Sequence, residues 1–189
     1  MKKIAIDFDG TLFPTLEKVL EIYNRRHNTN LALSQITTYN FCDSFEPAIA
    51  DEMIELFVDK DVYDNLQPYK GAIRAIKTLV EQGNEVYIAT ASDIRNMKWK
   101  EQLLQKHFPF IPKHNLIRIY NKALLNVDVL VEDNIDTLKM TFADRVCFNQ
   151  PWNQDEDADW VYSISRIHHW GEIINVISDI ERKNKEWEK

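Results

Sequence analysis

The sequence is poor in the residues that interrupt compact folds. Glycine occurs 4 times and proline 6 times in 189 residues, and there is no low-complexity tract or repeat of fixed period. These absences argue against linkers, solenoids and fibrous proteins. Because 44% of the residues are hydrophobic, we predict one globular domain of ordinary size with room for one modest insertion.

Long apolar runs and cysteines are also scarce. No segment of 18 or more apolar residues occurs, so no membrane-spanning helix is predicted. The N-terminal "MKKIAIDFDG" begins like a secretory signal, but Asp7 and Asp9 interrupt its apolar run and no cleavage site follows. Cys42 and Cys147 lack the spacing of metal ligands, which suits a reducing compartment. We therefore expect a soluble, cytoplasmic protein.

Basic charge is in deficit. The chain has 23 Lys and Arg against 30 Asp and Glu, for a net charge of -7 and a pI near 5.3. Proteins that wrap long nucleic acids depend on clustered Lys and Arg, so we expect no such partner. A small anionic ligand at a local site is compatible with this charge, and so is a homodimer.

The pattern of apolar residues predicts alternating strands and helices. Five segments have strand character: residues 2–7, 84–90, 116–120, 127–133 and 145–149. Helices are expected over residues 15–28, 69–83 and about 94–106, from about 135, and after His169. Such alternation predicts an α/β fold, a doubly wound parallel sheet with helices on both faces.

Residues 14–68 do not follow this alternation. They contain the helix over 15–28, a second helix after Pro47 over residues 48–60, and the aromatic-rich connection "ITTYNFCDSF" between them. We interpret residues 14–68 as a small helical cap inserted after the first strand, and residues 1–13 and 69–189 as the core. The acidic run "DEDAD" at 155–159 predicts a solvated loop.

Acidic and hydroxyl side chains follow the predicted strands. Asp7 and Asp9 end the first strand, "TAS" at 90–92 ends the second, and Glu132 and Asp133 end "VDVLVED". In parallel sheets, ligands bind beyond the carboxyl ends of the strands. Two like charges 4 Å apart repel by roughly 4 kcal/mol at an effective dielectric near 20. A divalent cation reverses that repulsion, and Mg²⁺ is usually held by one or two carboxylates.

These groups match the requirements of phosphoryl transfer: an anionic nucleophile, a hard cation and donors to the phosphate oxygens. Other interpretations stay open for single residues. Thr90 suits a strand-end hydroxyl, and Lys100 suits a solvated helix lysine, with Lys98 and Lys122 as alternative phosphate donors. Asp136 is either a carboxylate near the metal or a residue favoured by the helix dipole.

An ordered set of motifs resembles the haloacid dehalogenase superfamily of phosphotransferases. The set comprises "DFDGT" at 7–11, the Thr that closes "VYIAT", a downstream Lys and the acidic end of "VLVED". Residues 100–112, 121–134 and 146–153 resemble the bacterial and phage branch of the 5'(3')-deoxyribonucleotidase family. The resemblance runs from the first strand to the last helix and is weakest in the cap. It implies a Rossmannoid catalytic core.

The resemblance also implies residue roles. Asp7 would attack phosphorus to form an aspartyl-phosphate, and Asp9 would protonate the leaving oxygen and then activate water. Mg²⁺ would be bound by Asp7, the backbone carbonyl of Asp9, and Asp133. The phosphate oxygens would be held by Thr90, Ala91, Ser92 and Lys100.

Two positions depart from the family pattern. Glu132 stands where relatives usually have Asp, and Ala91 stands where they often have a hydroxyl. Four aromatic residues could form a wall over a nucleobase, since stacking contributes about 1 to 3 kcal/mol per base. These are Phe13, Tyr39, Phe41 and Trp152. Packing within the cap and loop cores is an equally good interpretation of them.

We therefore expect a Mg²⁺-dependent phosphomonoesterase acting on deoxyribonucleoside 5'(3')-monophosphates. One alternative is a related phosphatase acting on another small phosphomonoester, such as a sugar phosphate, or on a polynucleotide 3' end. Another is a Mg²⁺-binding regulatory module that is phosphorylated on Asp7 without turnover. Asp9 argues against that module, because a pure phosphate acceptor does not need the second acid.

Overall fold

Six parallel strands form one sheet in the order β3-β2-β1-β4-β5-β6. The structure, a computed structural model, describes residues 1–154 and 156–187. The strands are β1 (Lys3–Asp7), β2 (Glu85–Thr90), β3 (Leu116–Arg118), β4 (Val129–Glu132), β5 (Asp144–Phe148) and β6 (Ser165–Ile167). With helices between these strands, the predicted α/β fold with a parallel sheet is confirmed.

Strand β1 lies at the topological switch point of the sheet. It pairs with β2, from Lys3 opposite Glu85 to Asp7 opposite Ala89, and with β4 on its other side. From β1 the chain builds outward through β2 and β3, then crosses back to β4. The carboxyl ends of β1 and β4 therefore border the crevice in which such sheets bind ligands.

Eight α-helices accompany the sheet in the described part of the chain. They are α1 (Thr15–His27), α2 (Pro47–Leu56), α3 (Lys60–Tyr63), α4 (Ala72–Glu81), α5 (Met97–His107), α6 (Ile135–Met140), α7 (Glu156–Val161) and α8 (Ile173–Trp187). Helix α4 begins later than predicted because Gly71 has a left-handed backbone, with φ of 89°. Helix α2 ends before residue 60, and α3 starts anew after Asp59, whose side chain caps it.

One prediction near the C-terminus is wrong, and one strand there was not predicted. The acidic run was expected to be a solvated loop, but residues 156–159 belong to helix α7, while residue 155 lies outside the described residues. Asp159 accepts hydrogen bonds from Arg166 at 2.6 and 2.8 Å, so this acidic side chain has a structural partner. Strand β6 was not predicted, because three residues are too few to show a period.

The core lies on both faces of the sheet. Ile4 and Ile6 of β1 face the larger apolar cluster, whereas Ala5 faces the smaller one beneath α6. Both clusters exclude water from β1, which explains its uninterrupted apolar sequence. Within the described residues, no helix is long and apolar enough to cross a membrane.

The segment between β1 and α4 carries helices α1 to α3 and is hydrogen-bonded to the rest of the chain where it leaves and returns. The Tyr69 N–H donates to the Leu12 carbonyl at 3.0 Å. The Tyr69 hydroxyl donates to Glu17 at 2.5 Å and accepts from Gln150 at 2.8 Å. Burial raises the pKa of Glu17, although the Tyr69 hydrogen bond opposes the shift.

The variant Glu17→Gln tests this buried carboxyl. Because the pKa of Glu17 is raised by folding, wild-type stability is lost as pH rises above its ordinary value of 4.5. The glutamine side chain does not titrate, so the free energy of unfolding of the variant, relative to that of wild type, should be greater at neutral pH than at pH 4.5. Urea unfolding at both pH values measures this gain. The exposed Glu21→Gln is the control, and an equal gain there would contradict the assignment.

Candidate active site

Three strands deliver polar side chains to one end of the sheet. Asp7 ends β1, Thr90 ends β2 and Asp133 directly follows β4. All three side chains are buried. Asp133 lines a cavity of about 410 Å³, whose wall also includes Asp9, Ala91 and Ser92. The structure thus brings together the groups that the sequence predicted at the strand ends.

Asp7, Glu132 and Asp133 form a compact acidic cluster. Each offers a carboxylate oxygen, and these oxygens lie within 4.8 Å of one another. The ammonium group of Lys122 donates to Glu132 at 2.6 Å and contacts Asp7. Glu132 also accepts from the Asn134 N–H at 3.2 Å. Glu132 therefore holds a buried lysine against Asp7.

Asp7 and Asp133 of this cluster have raised pKa values. Burial, reinforced by Glu132, raises the pKa of Asp7 to about 7, although Lys122 opposes the shift. Burial and the charges of Glu132 and Asp7 also raise the pKa of Asp133 well above its usual range. Burial lowers the pKa of Lys122, but the adjacent carboxylates outweigh this effect and raise it overall. When all three carboxyl groups are ionised, the cluster carries more negative charge than Lys122 neutralises.

This donor set fits a divalent cation. With Asp9 and Lys100 included, the site holds four carboxylates and two ammonium groups, which leaves a formal excess of two negative charges. Oxygen ligands of this kind are the ones that Mg²⁺ and other hard cations prefer. The cluster can therefore bind a metal ion.

Asp9 faces away from the acidic cluster. Its carboxylate accepts from the Thr15 hydroxyl at 2.7 Å and is paired with Lys100. The Asp9 side chain is 32% exposed, whereas Lys100 is fully buried. The Lys100 ammonium also donates to the Thr90 hydroxyl at 3.0 Å and to Ser92. The alternative of a solvated Lys100 is therefore wrong.

Two other candidate residues lie outside the site. Lys98 is exposed, and its ammonium lies 4.0 Å from the centre of the Trp99 ring. Asp136 is 80% exposed and pairs with Lys139 at 3.4 Å on helix α6. Asp136 therefore occupies the first turn of a helix, and only Lys100 and Lys122 of the three lysines lie among the catalytic candidates.

The turn after Asp9 approaches the acidic cluster closely at Gly10. Gly10 has a φ of 73°, and a Cβ atom there would lie 2.5 Å from Asp133 Oδ2. The next residue, Thr11, donates to the other Asp133 oxygen at 3.3 Å. The backbone of this turn thus packs directly on the carboxylate at the end of β4.

Aromatic residues line part of the cavity. Tyr39, Phe41 and Trp152 belong to its wall, together with Phe57. Phe13 does not face it, because its ring is fully buried and stacks on Phe8 at 4.5 Å. Core packing is therefore the correct interpretation of Phe13, while the other three aromatic residues can contact a ligand.

Comparison with known proteins identifies the family. The family model described as "5' nucleotidase, deoxy (Pyrimidine), cytosolic type C protein" matches residues 1–184. The chain belongs to this family. The 5'(3')-deoxyribonucleotidase of Bacillus subtilis (strain 168) is 28% identical over 176 residues, which cover 92% of this chain and 97% of the relative. That of Clostridium acetobutylicum is 25% identical over 162 residues, covering 83% and 89%.

A solved structure supports the same fold. A haloacid dehalogenase-like protein of Agrobacterium tumefaciens superposes with a TM-score of 0.66 at 13% identity, covering 95% of this chain and 98% of that one. The family resemblance and the fold class predicted from the sequence are confirmed. So is the enzyme class: this family member is a phosphoric monoester hydrolase.

Gly10→Ala tests the close packing of the turn. The added Cβ would collide with Asp133 Oδ2, so we expect phosphatase activity to fall on the order of 10²-fold, as displacements near 1 Å can cost. Steady-state phosphate release measures the loss. Gly83→Ala is a matched control, because Gly83 has a φ of 87° but no atom within 4 Å of its Cβ position. Equal activity losses in both variants would contradict this packing argument.

Proposed function

We propose that this protein is a Mg²⁺-dependent phosphomonoesterase that dephosphorylates deoxyribonucleoside 5'(3')-monophosphates through an aspartyl-phosphate. The main observation in support is that Asp7 and Asp9, which are separated by one residue, lie in different surroundings. Asp7 is buried against Lys122, and Asp9 borders the cavity beside Lys100. The names of the Bacillus and Clostridium relatives support the substrate class.

Residues 14–68 act as the cap of this enzyme, and residues 1–13 and 69–189 form its catalytic core. The cap contributes Tyr39, Phe41 and Phe57 to the wall of a cavity that the core closes from below. A volume of about 410 Å³ suits a small ligand. A cap over the site excludes water and limits the size of the substrate.

Mg²⁺ would be held by Asp7, Asp133 and the backbone carbonyl of Asp9. Glu132 is not assigned to the metal, because its carboxylate is already bonded to Lys122 and the Asn134 N–H. When bound, the cation would neutralise charge on the transferring phosphoryl group. The formal excess of two carboxylates over ammonium groups in the site supports this assignment.

In the first step, a carboxylate oxygen of Asp7 forms a bond to phosphorus as the bond to the nucleoside oxygen breaks. Asp9 donates a proton to that leaving oxygen, which departs as a hydroxyl. In the second step, Asp9 takes a proton from water, which attacks phosphorus and releases phosphate from Asp7. The contact with Lys122 favours the ionised Asp7 that the first step requires.

The phosphate oxygens would be held by Lys100 and the hydroxyls of Thr90 and Ser92. Ala91 has no hydroxyl and would contribute only its backbone N–H. This set is supported by the buried contacts that join Lys100 to both hydroxyls. Tyr39, Phe41 and Trp152 would then flank the nucleobase. Thr15 orients Asp9 toward the leaving group through the 2.7 Å hydrogen bond.

Phosphate release from a panel of substrates tests this proposal. The panel comprises deoxyribonucleoside 5'- and 3'-monophosphates, their ribose counterparts, sugar phosphates and a 3'-phosphorylated oligonucleotide. We expect the highest kcat/KM for the deoxyribonucleotides. A preference for a sugar phosphate or the oligonucleotide would favour a related phosphatase, and a stable phospho-Asp7 without phosphate release would favour the regulatory module.

Asp7→Asn should abolish hydrolysis of the best substrate, by at least about 10³-fold, because an amide cannot replace the nucleophilic carboxylate. Asp136→Asn is the matched control, since that side chain is 80% exposed on helix α6. It should retain wild-type turnover. Turnover at the wild-type rate by Asp7→Asn would eliminate the aspartyl-phosphate mechanism.

Mg²⁺ should stabilise the protein and be required for turnover. A ligand at 100 times its Kd contributes about 2.7 kcal/mol, which corresponds to a rise in Tm of about 5 to 10 °C for a chain of this size. Thermal unfolding with and without Mg²⁺ measures the rise, and a chelator should stop phosphate release. Asp133→Asn should lose most of the rise, whereas Asp136→Asn should keep it.

A further inference from the structure

We propose that Trp152 is a positioning residue of the active site, whose indole N–H orients the Asp133 carboxylate. This inference rests on the proposed function, in which Asp133 is a metal ligand. The indole Nε1 donates to Asp133 Oδ2 at 2.9 Å. The sequence suggested only that the ring of Trp152 forms a substrate wall, so the role of its N–H group is additional.

The loop that carries Trp152, residues 149–154, joins the two sides of the switch point. Asn153 donates to the backbone carbonyl of Asp133 at 2.8 Å. Gln150 donates to the carbonyl of Gly10 at 2.6 Å. One loop therefore holds the side chain and the backbone of Asp133, together with the turn that follows Asp9.

The loop is itself firmly held. Asn153 is 2% exposed, and its side-chain amide also donates to the Phe148 carbonyl at 2.9 Å. Its oxygen accepts from the Gln150 N–H at 3.0 Å and from Arg166 at 2.8 Å. Arg166 in turn makes the two hydrogen bonds to Asp159 described above. Because the loop is constrained in this way, the indole N–H of Trp152 points in a defined direction. A group that orients a metal ligand needs such a fixed direction.

Within the described residues, Trp152 makes the shorter of two side-chain hydrogen bonds to the Asp133 carboxylate. The other donor, the Thr11 hydroxyl, lies 3.3 Å from Oδ1, against 2.9 Å for the indole. The Trp152 ring also lies close to the Gly10 backbone, since a Cβ on Gly10 would be 3.2 Å from the ring. The indole thus limits rotation of the Asp133 carboxylate and leaves lone pairs of both oxygens for a cation.

Trp152→Phe tests this role, because it keeps an aromatic ring in the cavity and removes the N–H donor. Calorimetric titration with Mg²⁺ alone should show a Kd raised roughly 10- to 100-fold, the usual effect of losing a group that orients a metal ligand. The KM for the nucleotide should change little, and excess Mg²⁺ should recover part of kcat. Trp160→Phe is the control, since Trp160 is 87% exposed on helix α7, and it should bind Mg²⁺ like wild type.

Indole ¹⁵N–¹H resonances provide a readout that needs neither metal nor turnover. The resonance that is absent in Trp152→Phe identifies Trp152, and it should shift in Asp133→Asn but not in Asp136→Asn. This measurement uses the hydrogen bond itself, so it remains decisive if Trp152→Phe binds Mg²⁺ weakly because it folds poorly. An unchanged resonance in Asp133→Asn would overturn the inference.

The remaining outcomes separate this inference from the proposed function. A raised KM with an unchanged Kd for Mg²⁺ in Trp152→Phe would mean that Trp152 serves only as a substrate wall, which overturns the inference. A wild-type protein that releases no phosphate, yet shows the expected Mg²⁺ and indole responses, would overturn the proposed function and support the positioning role. Absence of Mg²⁺ binding by wild type would overturn the inference and the metal assignment together.

Discussion

Repulsion among buried carboxylates is the constraint on which the site depends. Asp7, Glu132 and Asp133 place carboxylate oxygens within 4.8 Å of one another at the switch point of the sheet, where burial makes charged groups unfavourable. Lys122 offsets part of this repulsion, and the proposed cation would offset the rest. The neighbouring turn and loop supply further donors, from Thr11 and from Trp152. Much of the architecture around the crevice serves to stabilise negative charge.

Asp7 and Asp9 have different environments because each is paired with a different lysine. Asp7 is paired with Lys122 inside the cluster, and Asp9 is paired with Lys100 at the edge of the cavity. A parallel strand ends at Asp7, and the turn at Gly10 then directs the chain past Asp133. Two neighbouring carboxyl groups thereby acquire separate environments, which is how enzymes obtain distinct roles from identical side chains.

The wall over the crevice strengthens the electrostatic interactions of these acids. Apolar and aromatic side chains from residues 14–68 face the acids across the cavity, and a site with less water screens electrostatic interactions less. The same segment is anchored to the core through Tyr69, which bonds to Glu17 on one side and Gln150 on the other. Gln150 also bonds to the Gly10 carbonyl, so this anchor is continuous with the turn beside the acids.

The alternating fold and the acids at the strand ends were predictable from the sequence, because both depend on local periodicity and on residues adjacent to a strand. The partners of these acids depend on contacts that form only in the folded chain. Lys122 and Asp7 are 115 positions apart, and the donor role of Trp152 depends on a loop that approaches Asp133 in space. The burial of Phe13 likewise depends on contacts with distant segments. Contacts between distant segments leave no periodic pattern in the sequence. The identity of an aromatic residue or a lysine also does not show whether it lies in the core, on the surface or in an active site.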